Sequence, residues 1–446
     1  MDQLSPLFQQ LVMSFSNAFL YRPTAESFIT ITLGWILCPG RRTVTGIIRA
    51  AGPHATKSHD AYQGFFSRSK WQMDSLWKLL FMMIVKLLPE QQPIFLVGDD
   101  TLIKHYGRKI WGAGLYRDAV RSSKKYPGYA WGLNWVVLAI VWELPLLKGH
   151  CIALPILARL NPKSKKTKKK GQGSKKKNTT VSLMCEMVQT VANWLPERYF
   201  VFCGDGAYAS VAKQLPKNVQ LVSRIRKDAA IYSRPKARTK KRGRPRKKGL
   251  RIPAPKDMAP SKKEKWQVVQ LDLYGEMKER YLFHFQAIWY EVCPNRPINI
   301  VIVRDPERKI DDEFFFTTNL SLSAAEVVHI YTGRWPIEVV FRESKQYLGI
   351  AESQARKQEA VTRTTPFCLW LNSLIKLWFI MERNCGRVDL PEPDVWYRSK
   401  STISFQDMLA ALRRSFWLNL FSCMSTCEDD FEKFNLYAIN SLSNVA

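Results

Sequence analysis

Ile94-Phe-Leu-Val-Gly-Asp99-Asp100-Thr101 is the stretch on which the reading of this chain turns. Its apolar run follows Pro93 and reads as a buried strand over 93–99, with two acids at its end. Carboxylates in such a place are costly unless a cation or a basic side chain meets them. The stretch therefore calls for a sheet and for a positive partner. A second run repeats the design. Tyr199-Phe-Val-Phe-Cys203-Gly204-Asp205-Gly206-Ala207-Tyr208 is an apolar strand ending in an acid flanked by glycines, which let backbone or substrate come close.

Around these two strands lie apolar stretches near 129–142 and 151–160, a helical pattern over 181–194 and a further strand at 219–224. Strands alternating with helices fit an α/β sheet. Further along, Tyr331, Arg334, Glu338 and Lys345 are spaced by three, four and seven residues. At about 100° per residue they fall within roughly a 60° arc of one helical face. A lone acid among two cations and a phenol suits phosphate and metal: the carboxylate holds a divalent cation, and the cations hold phosphate oxygens. Trp335, Ile337, Val340 and Phe341 supply the packing side. Pro336 divides the segment, because an interior proline breaks a helix but is tolerated in its first turn. Two helices are expected. Ser323-x-x-Glu326 opens the first as a capping box, Gly333 closes it, and the second starts at Pro336 with Glu338 in its first turn.

The order Tyr331, two residues, Arg334, three, Glu338, six, Lys345 resembles the signature of a large group of bacterial insertion-sequence transposases with a DDE active site. The phrase Tyr331-Thr-Gly-Arg-Trp-Pro-Ile-Glu338-Val-Val-Phe341 is similar to that group as well. The resemblance covers roughly residues 90–350. It implies a ribonuclease H-like mixed sheet flanked by helices, with the first Asp on the first strand, the second at the end of the fourth and the Glu on a late helix. Asp100-Thr101 is closer than Asp99 to the family's Asp-Thr pair, so Asp100, Asp205 and Glu338 are the expected catalytic metal ligands, with Asp99 open as the alternative first ligand. Two Mg²⁺ ions about 3.5–4 Å apart, or Mn²⁺ in their place, would activate the attacking oxygen and stabilise the leaving one. Tyr331, Arg334 and Lys345 would contact DNA. The implied reaction is cleavage at terminal inverted repeats and joining of the 3′-OH to target DNA, by a homodimer in a synaptic complex. A nuclease without strand transfer would use the same acids. A domesticated, non-catalytic DNA-binding protein would not need all three.

The charge of the chain points to the same partner. Its net charge is +30, and most of this lies in two runs: nine Lys between Lys163 and Lys177, and ten Lys and Arg between Arg234 and Lys248, neither with an acid. Such segments cannot bury enough apolar surface to order themselves. In a DNA-processing enzyme they grip phosphates, with binding that weakens as salt rises. Arg242-Gly243-Arg244-Pro245-Arg246 looks like an AT-hook core, thin enough for the narrow minor groove of A·T-rich DNA; generic phosphate contact is the other reading.

Five regions follow: 1–90, helical and DNA-end-binding; 91–226, first part of the core; 227–320, a β-rich insertion carrying the basic loop; 321–380, the catalytic helix; and 381–446, a dimerisation candidate. In the first region, helices over 42–51 and 57–71 suggest a helix-turn-helix with Lys57, His59, Gln63 and Arg68 toward DNA, while Phe65, Phe66 and Trp71 need burial. In the insertion, Trp266 or Trp289 is either core or a platform for an unstacked base. No uninterrupted apolar run reaches the ~18–20 residues of a membrane span, since Glu143 and Lys376 interrupt the two best stretches. No secretion signal is recognisable at the N-terminus, and nine irregularly spaced Cys read as reduced thiols. A cytoplasmic, nucleoid-associated protein is expected. The six His are scattered, and Cys423 with Cys427 makes only one pair, so no zinc site is expected.

Overall fold

The apolar run after Pro93 becomes strand β1 (Ile94–Lys104) of a computed structural model, and its acids lie inside the strand rather than at its end. That model describes residues 5–422 and Leu442, apart from 119–120, 124, 145–150, 164–178, 236–245, 262, 274, 295 and 389–401. After β1 come β2 (Gly114–Arg117), β3 (Tyr129–Glu143), β4 (Cys151–Asn161), β5 (Phe200–Gly204) and β6 (Val219–Arg224). The later strands are β7 (Gln267–Leu273), β8 (Glu276–Ala287), β9 (Ile298–Arg304) and β10 (Glu313–Thr317). All ten form one mixed sheet in the order β2-β3-β1-β5-β6-β10-β9-β8-β7, with β4 also paired to β3.

Unequal neighbours explain the length of β1. β3 pairs antiparallel with it from Phe95 opposite Val141 to Lys104 opposite Gly132. β5 runs parallel on the other side and stops with Gly204 opposite Gly98. The next residues, Asp99 on β1 and Asp205 after β5, stand where the parallel pairing ends. Leaving aside the four-residue β2, β5 is the fourth strand. The β-rich insertion does not stand apart: β10 pairs antiparallel with β6, Phe315 opposite Arg224, and carries the sheet outward through β9, β8 and β7.

Helices cover both faces. α1 (Pro6–Ser16), α2 (Arg22–Leu37), α3 (Val44–Ala51), α4 (His59–Ser67) and α5 (Met73–Val85) precede the sheet. α6 (Thr180–Trp194) lies before β5, and α7 (Pro255–Met258) is a single turn in the insertion. α8 (Ala324–Thr332), α9 (Pro336–Gln346), α10 (Gln358–Asn384) and α11 (Phe405–Ser422) follow it. Gly98 lets α6 come close, since a Cβ there would meet Met184 Sδ at 2.6 Å. The long, mostly buried α10 is the post on which the N-terminal helices pack. Phe15 meets Trp370 edge-on at 4.8 Å, Phe8 meets Trp378 at 6.5 Å, and Phe65 and Phe66 gather around Phe367. Phe65, Phe66 and Trp71 are buried as their size requires.

The paired helices of the first region are shorter than expected, and Gly52–His54 forms a 3₁₀ turn between them. Lys57 is not free for DNA: its ammonium is held by Glu26 at 3.1 Å and by the Pro23 carbonyl. His59 Nε2 lies 3.1 Å from Thr45 Oγ1. Trp266 is buried under the Arg304 guanidinium, 4.0 Å from the ring centre, and donates its N–H to the Pro260 carbonyl. Trp289 packs edge-on against Phe316 at 5.3 Å. Both are core residues, not platforms for a base. Among the described residues no helix is long and apolar enough to cross a membrane. The seven described cysteines form no disulfide, and Cys423 and Cys427 lie outside the described residues.

Candidate active site

Successive side chains of a strand point to opposite faces, so Asp99 and Asp100 cannot share one. Asp99 faces α9. Its Oδ2 accepts from Arg334 Nη1 at 2.8 Å, and Arg334 Nη2 donates to Glu338 Oε1 at 2.6 Å. Thr101, two residues on and therefore on the same face, lies 3.4 Å from the Lys345 ammonium. Asp100 faces the other way, toward the 3₁₀ segment Gly206–Gln214, where its Oδ1 accepts from the Tyr208 hydroxyl at 2.8 Å. The expected first ligand, Asp100, is thus on the opposite side of the sheet from Glu338. The alternative, Asp99, is the acid brought to it.

Asp205 follows Gly204 directly and caps the 3₁₀ segment, its carboxylate accepting from the Gly206 N–H. The register ends with Gly98 opposite Gly204 on strands about 4.8 Å apart, so Asp99 and Asp205 are the residues that follow the last pair. Ser223 of β6 donates its hydroxyl to the Asp205 carbonyl at 3.0 Å and fixes the turn. Asp99 thus lies on β1, Asp205 just after its parallel neighbour β5, and Glu338 on α9, which packs against β1.

The helix pair forms much as expected. Ser323 and Glu326 cap each other at 3.2 and 2.8 Å. α8 ends at Thr332 and α9 begins at Pro336. Gly333, however, has right-handed backbone (φ −61°), and Arg334, Trp335, Ile337 and Glu338 each donate their N–H three residues back. The break is a tightened turn of nearly continuous helix. That is why Arg334 and Glu338, four apart, still meet. Tyr331 is buried, its ring 4.6 Å from Phe315 and beneath Arg224 at 5.3 Å.

Two features near the site escaped the sequence reading. Tyr208 partners Asp100. Glu343 of α9 accepts from Lys376 at 2.7 Å and from Asn372 at 3.2 Å, both on α10, while Lys376 also donates to the Ala153 carbonyl of β4 at 3.2 Å. A lysine inside an apolar helical stretch was the signal for this buried pair. It pins the helix that carries Glu338.

Burial pushes the Asp99 carboxyl up to about 6; the Arg334 guanidinium opposes this, and Asp100 and Glu338 add to it. Burial also works against the Arg334 charge, but Asp99 and Glu338 overcome it and hold the guanidinium firmly protonated. Burial, with the nearby Lys104, draws the Lys345 ammonium down. The Tyr331 phenol is pushed up to about 12, chiefly by burial.

The donor set is all oxygen, which suits a hard cation. Among the described residues no three His, Cys, Asp or Glu side chains are gathered closely enough to hold a metal. Between Asp99 and Glu338 the positive charge is supplied by the Arg334 guanidinium, which stands where a cation would take the same oxygens. Asp99 and Glu338 are two oxygen donors that already share one cation, the chemistry a divalent ion would need from them. Arg242, Gly243, Arg244 and Pro245 lie outside the described residues; Arg246 is exposed, and Lys248 stacks over Tyr232 at 4.0 Å.

The ten-stranded mixed sheet with helices on both faces defines an α/β protein. Residues 15–281, more than half of the chain, match the family described as DDE superfamily endonuclease, and the chain belongs to that family. Membership implies a nuclease with a DNA substrate and a requirement for divalent metal. The matched span includes Asp99, Asp100 and Asp205 and ends before Tyr331, Arg334, Glu338 and Lys345. No curated protein matches the chain.

Proposed function

We propose that this protein is a DNA transposase of the insertion-sequence kind. It cleaves phosphodiester bonds at the terminal inverted repeats of a mobile element and joins the freed 3′-OH to target DNA. The observation that carries the reading is the convergence of Asp99 and Glu338 on one cationic group, with Asp99 and Asp205 each following the last pair of the parallel β1–β5 ladder. Asp99, Asp205 and Glu338 would hold Mg²⁺, or Mn²⁺ in its place. When bound, two such ions supply activation of the attacking oxygen and stabilisation of the leaving one.

The chain's own side chains orient the DNA. Arg334, released from the carboxylates, presents a planar fork to a phosphate oxygen. Lys345, held over Thr101, gives a point charge further along α9. Tyr331, locked between Phe315 and Arg224, stiffens the turn from which Arg334 projects. The basic runs 163–177 and 234–248 grip the backbone, and the Arg242–Arg246 segment enters an A·T-rich minor groove. Residues 1–90 hold the element end, residues 381–446 take part in pairing two chains, and the reaction takes place on cytoplasmic DNA.

Pre-cleaved element-end duplex, incubated with the protein, Mg²⁺ and a target plasmid, tests this directly. Joined products are expected. Hydrolysed target without joined ends would reduce the protein to a nuclease. Asp205→Ala should abolish cleavage and leave end binding intact; normal cleavage by that variant refutes the site.

A further inference from the structure

A cavity of about 550 Å³ opens between α3, α4 and the segment 353–357 that leads into α10. Its wall includes Arg42, Thr45, His59, Arg68, Arg356 and Lys357. One acid, Asp60, also lines it and is paired with Arg68. Arg356 and Lys357 are exposed and enter no ion pair among the described residues.

Arg42 is the informative residue. It is only 6% exposed, and among the described residues neither its Nε nor its Nη2 has a hydrogen-bond partner. Glu352 accepts from its backbone N–H at 2.6 Å, not from the guanidinium. The side chain is seated tightly: Gly349 takes a left-handed φ of +61°, and a Cβ there would meet Arg42 Cδ at 2.9 Å. The neighbouring buried cation offers no relief. Arg413 is held down to about 10, by burial and then by Arg42. A buried guanidinium with unmade hydrogen bonds is costly, and a carboxylate or phosphate presenting two oxygens is the partner that its planar fork fits.

The backbone contributes in the same sense. α3, α4 and α10 all begin at this wall, through Thr43–Thr45, His59–Asp60 and Lys357. Neither α4 nor α10 has a side-chain cap on its first N–H groups. Helix N-termini favour anions.

We propose that this cavity binds a phosphate group of the DNA backbone, at a distance from the cleavage site. The inference rests on the reading of the protein as a DNA-cutting enzyme. β1 and α9 both run from the acids toward the cavity: the Trp111 N–H, in the loop after β1, donates to the Arg356 carbonyl at 3.0 Å, and α9 leads into the 353–357 wall. Glu338 to the end of α9 is about 12 Å at 1.5 Å per residue. That length of helix separates the wall from the acids, so the phosphate bound here is not the scissile one.

Fluorescence anisotropy of a labelled end duplex, without divalent ions, tests this apart from any cleavage. Arg42→Gln, and separately Arg356→Gln with Lys357→Gln on the exposed rim, should each weaken binding on the order of tenfold and lower the log–log salt slope by about one for each phosphate no longer neutralised. Circular dichroism checks folding, and the rim variants keep the test valid if Arg42→Gln does not fold. Calorimetry with inorganic phosphate distinguishes the sources of the anion. Phosphate binding that the duplex displaces, and that the variants lose, supports the proposal. Phosphate binding with unchanged duplex affinity would assign the cavity to a free phosphate and overturn the DNA contact. Unchanged duplex affinity with no phosphate binding overturns it entirely. A protein that binds the duplex through this cavity but never cuts it would instead contradict the transposase reading alone.

Discussion

Lys376→Met probes the pair that fixes the catalytic helix. Lys376 Nζ lies 2.7 Å from Glu343 Oε2, with the two side chains 3% and 10% exposed. Removing the ammonium leaves the Glu343 carboxylate buried with only the Asn372 amide, 3.2 Å away. Breaking a buried pair in this way costs about 3–5 kcal/mol, whereas replacing both partners by neutral groups of similar volume is far milder. Adding Glu343→Gln should therefore recover most of the loss, because Gln still accepts from Asn372 and carries no charge. Urea unfolding followed by tryptophan fluorescence measures both variants. Cleavage should fall with the single variant and return with the double, since α9 regains its seat. A single-variant loss below about 1 kcal/mol, or a double variant no more stable than the single, would mean that the Lys376–Glu343 pair does not seat α9.

Arg334→Met opens the two carboxylates that the guanidinium bridges, so terbium luminescence should report tighter metal binding while DNA cleavage falls; unchanged terbium affinity would contradict the placement of Arg334 on the cation position. Because the folded Asp99 carboxyl titrates at about 6, above the ordinary 3.8, the proton competes with metal below that pH. Mn²⁺ affinity should fall toward tenfold per pH unit below about 6 and level off above it, and a flat profile from pH 5 to 8 would count against Asp99 as a ligand. In the metal-free protein the sign is opposite for stability: the ionised Asp99 is disfavoured by burial, so its destabilising effect is absent below 3.8 and complete above about 6.

Much of this was legible in the sequence, for reasons that particular residues make plain. The run 94–98 and the run 200–204 each had the composition of a buried strand, and both are strands with an acid just beyond their shared ladder. The Ser323–Glu326 box marked one helix start by its own local hydrogen bonds, and Pro336 marked the other by its fixed φ and missing N–H. The choice between Asp99 and Asp100 was not local. It depends on which face of β1 meets α9, and the Asp-Thr likeness favoured the residue that turns to Tyr208 instead. The end of β1 was missed because its support comes from β3, distant in sequence. Gly333 read as a helix stop and does cap the C-terminus of α8, but with right-handed rather than left-handed backbone. Arg42 gave no signal, since a basic residue in a polar stretch looks like surface. Its burial arises from segments hundreds of residues away, at Gly349, Glu352 and Arg413.

The central claim is that Asp99, not its neighbour, is the acid that works with Asp205 and Glu338. Metal-dependent cleavage of an end duplex by Asp99→Asn and Asp100→Asn tests it in one experiment. Asp99→Asn should lose cleavage to background. Asp100→Asn should keep it within about tenfold, because an amide oxygen still accepts from the Tyr208 hydroxyl on the far face. Cleavage retained by Asp99→Asn and lost by Asp100→Asn would contradict the account.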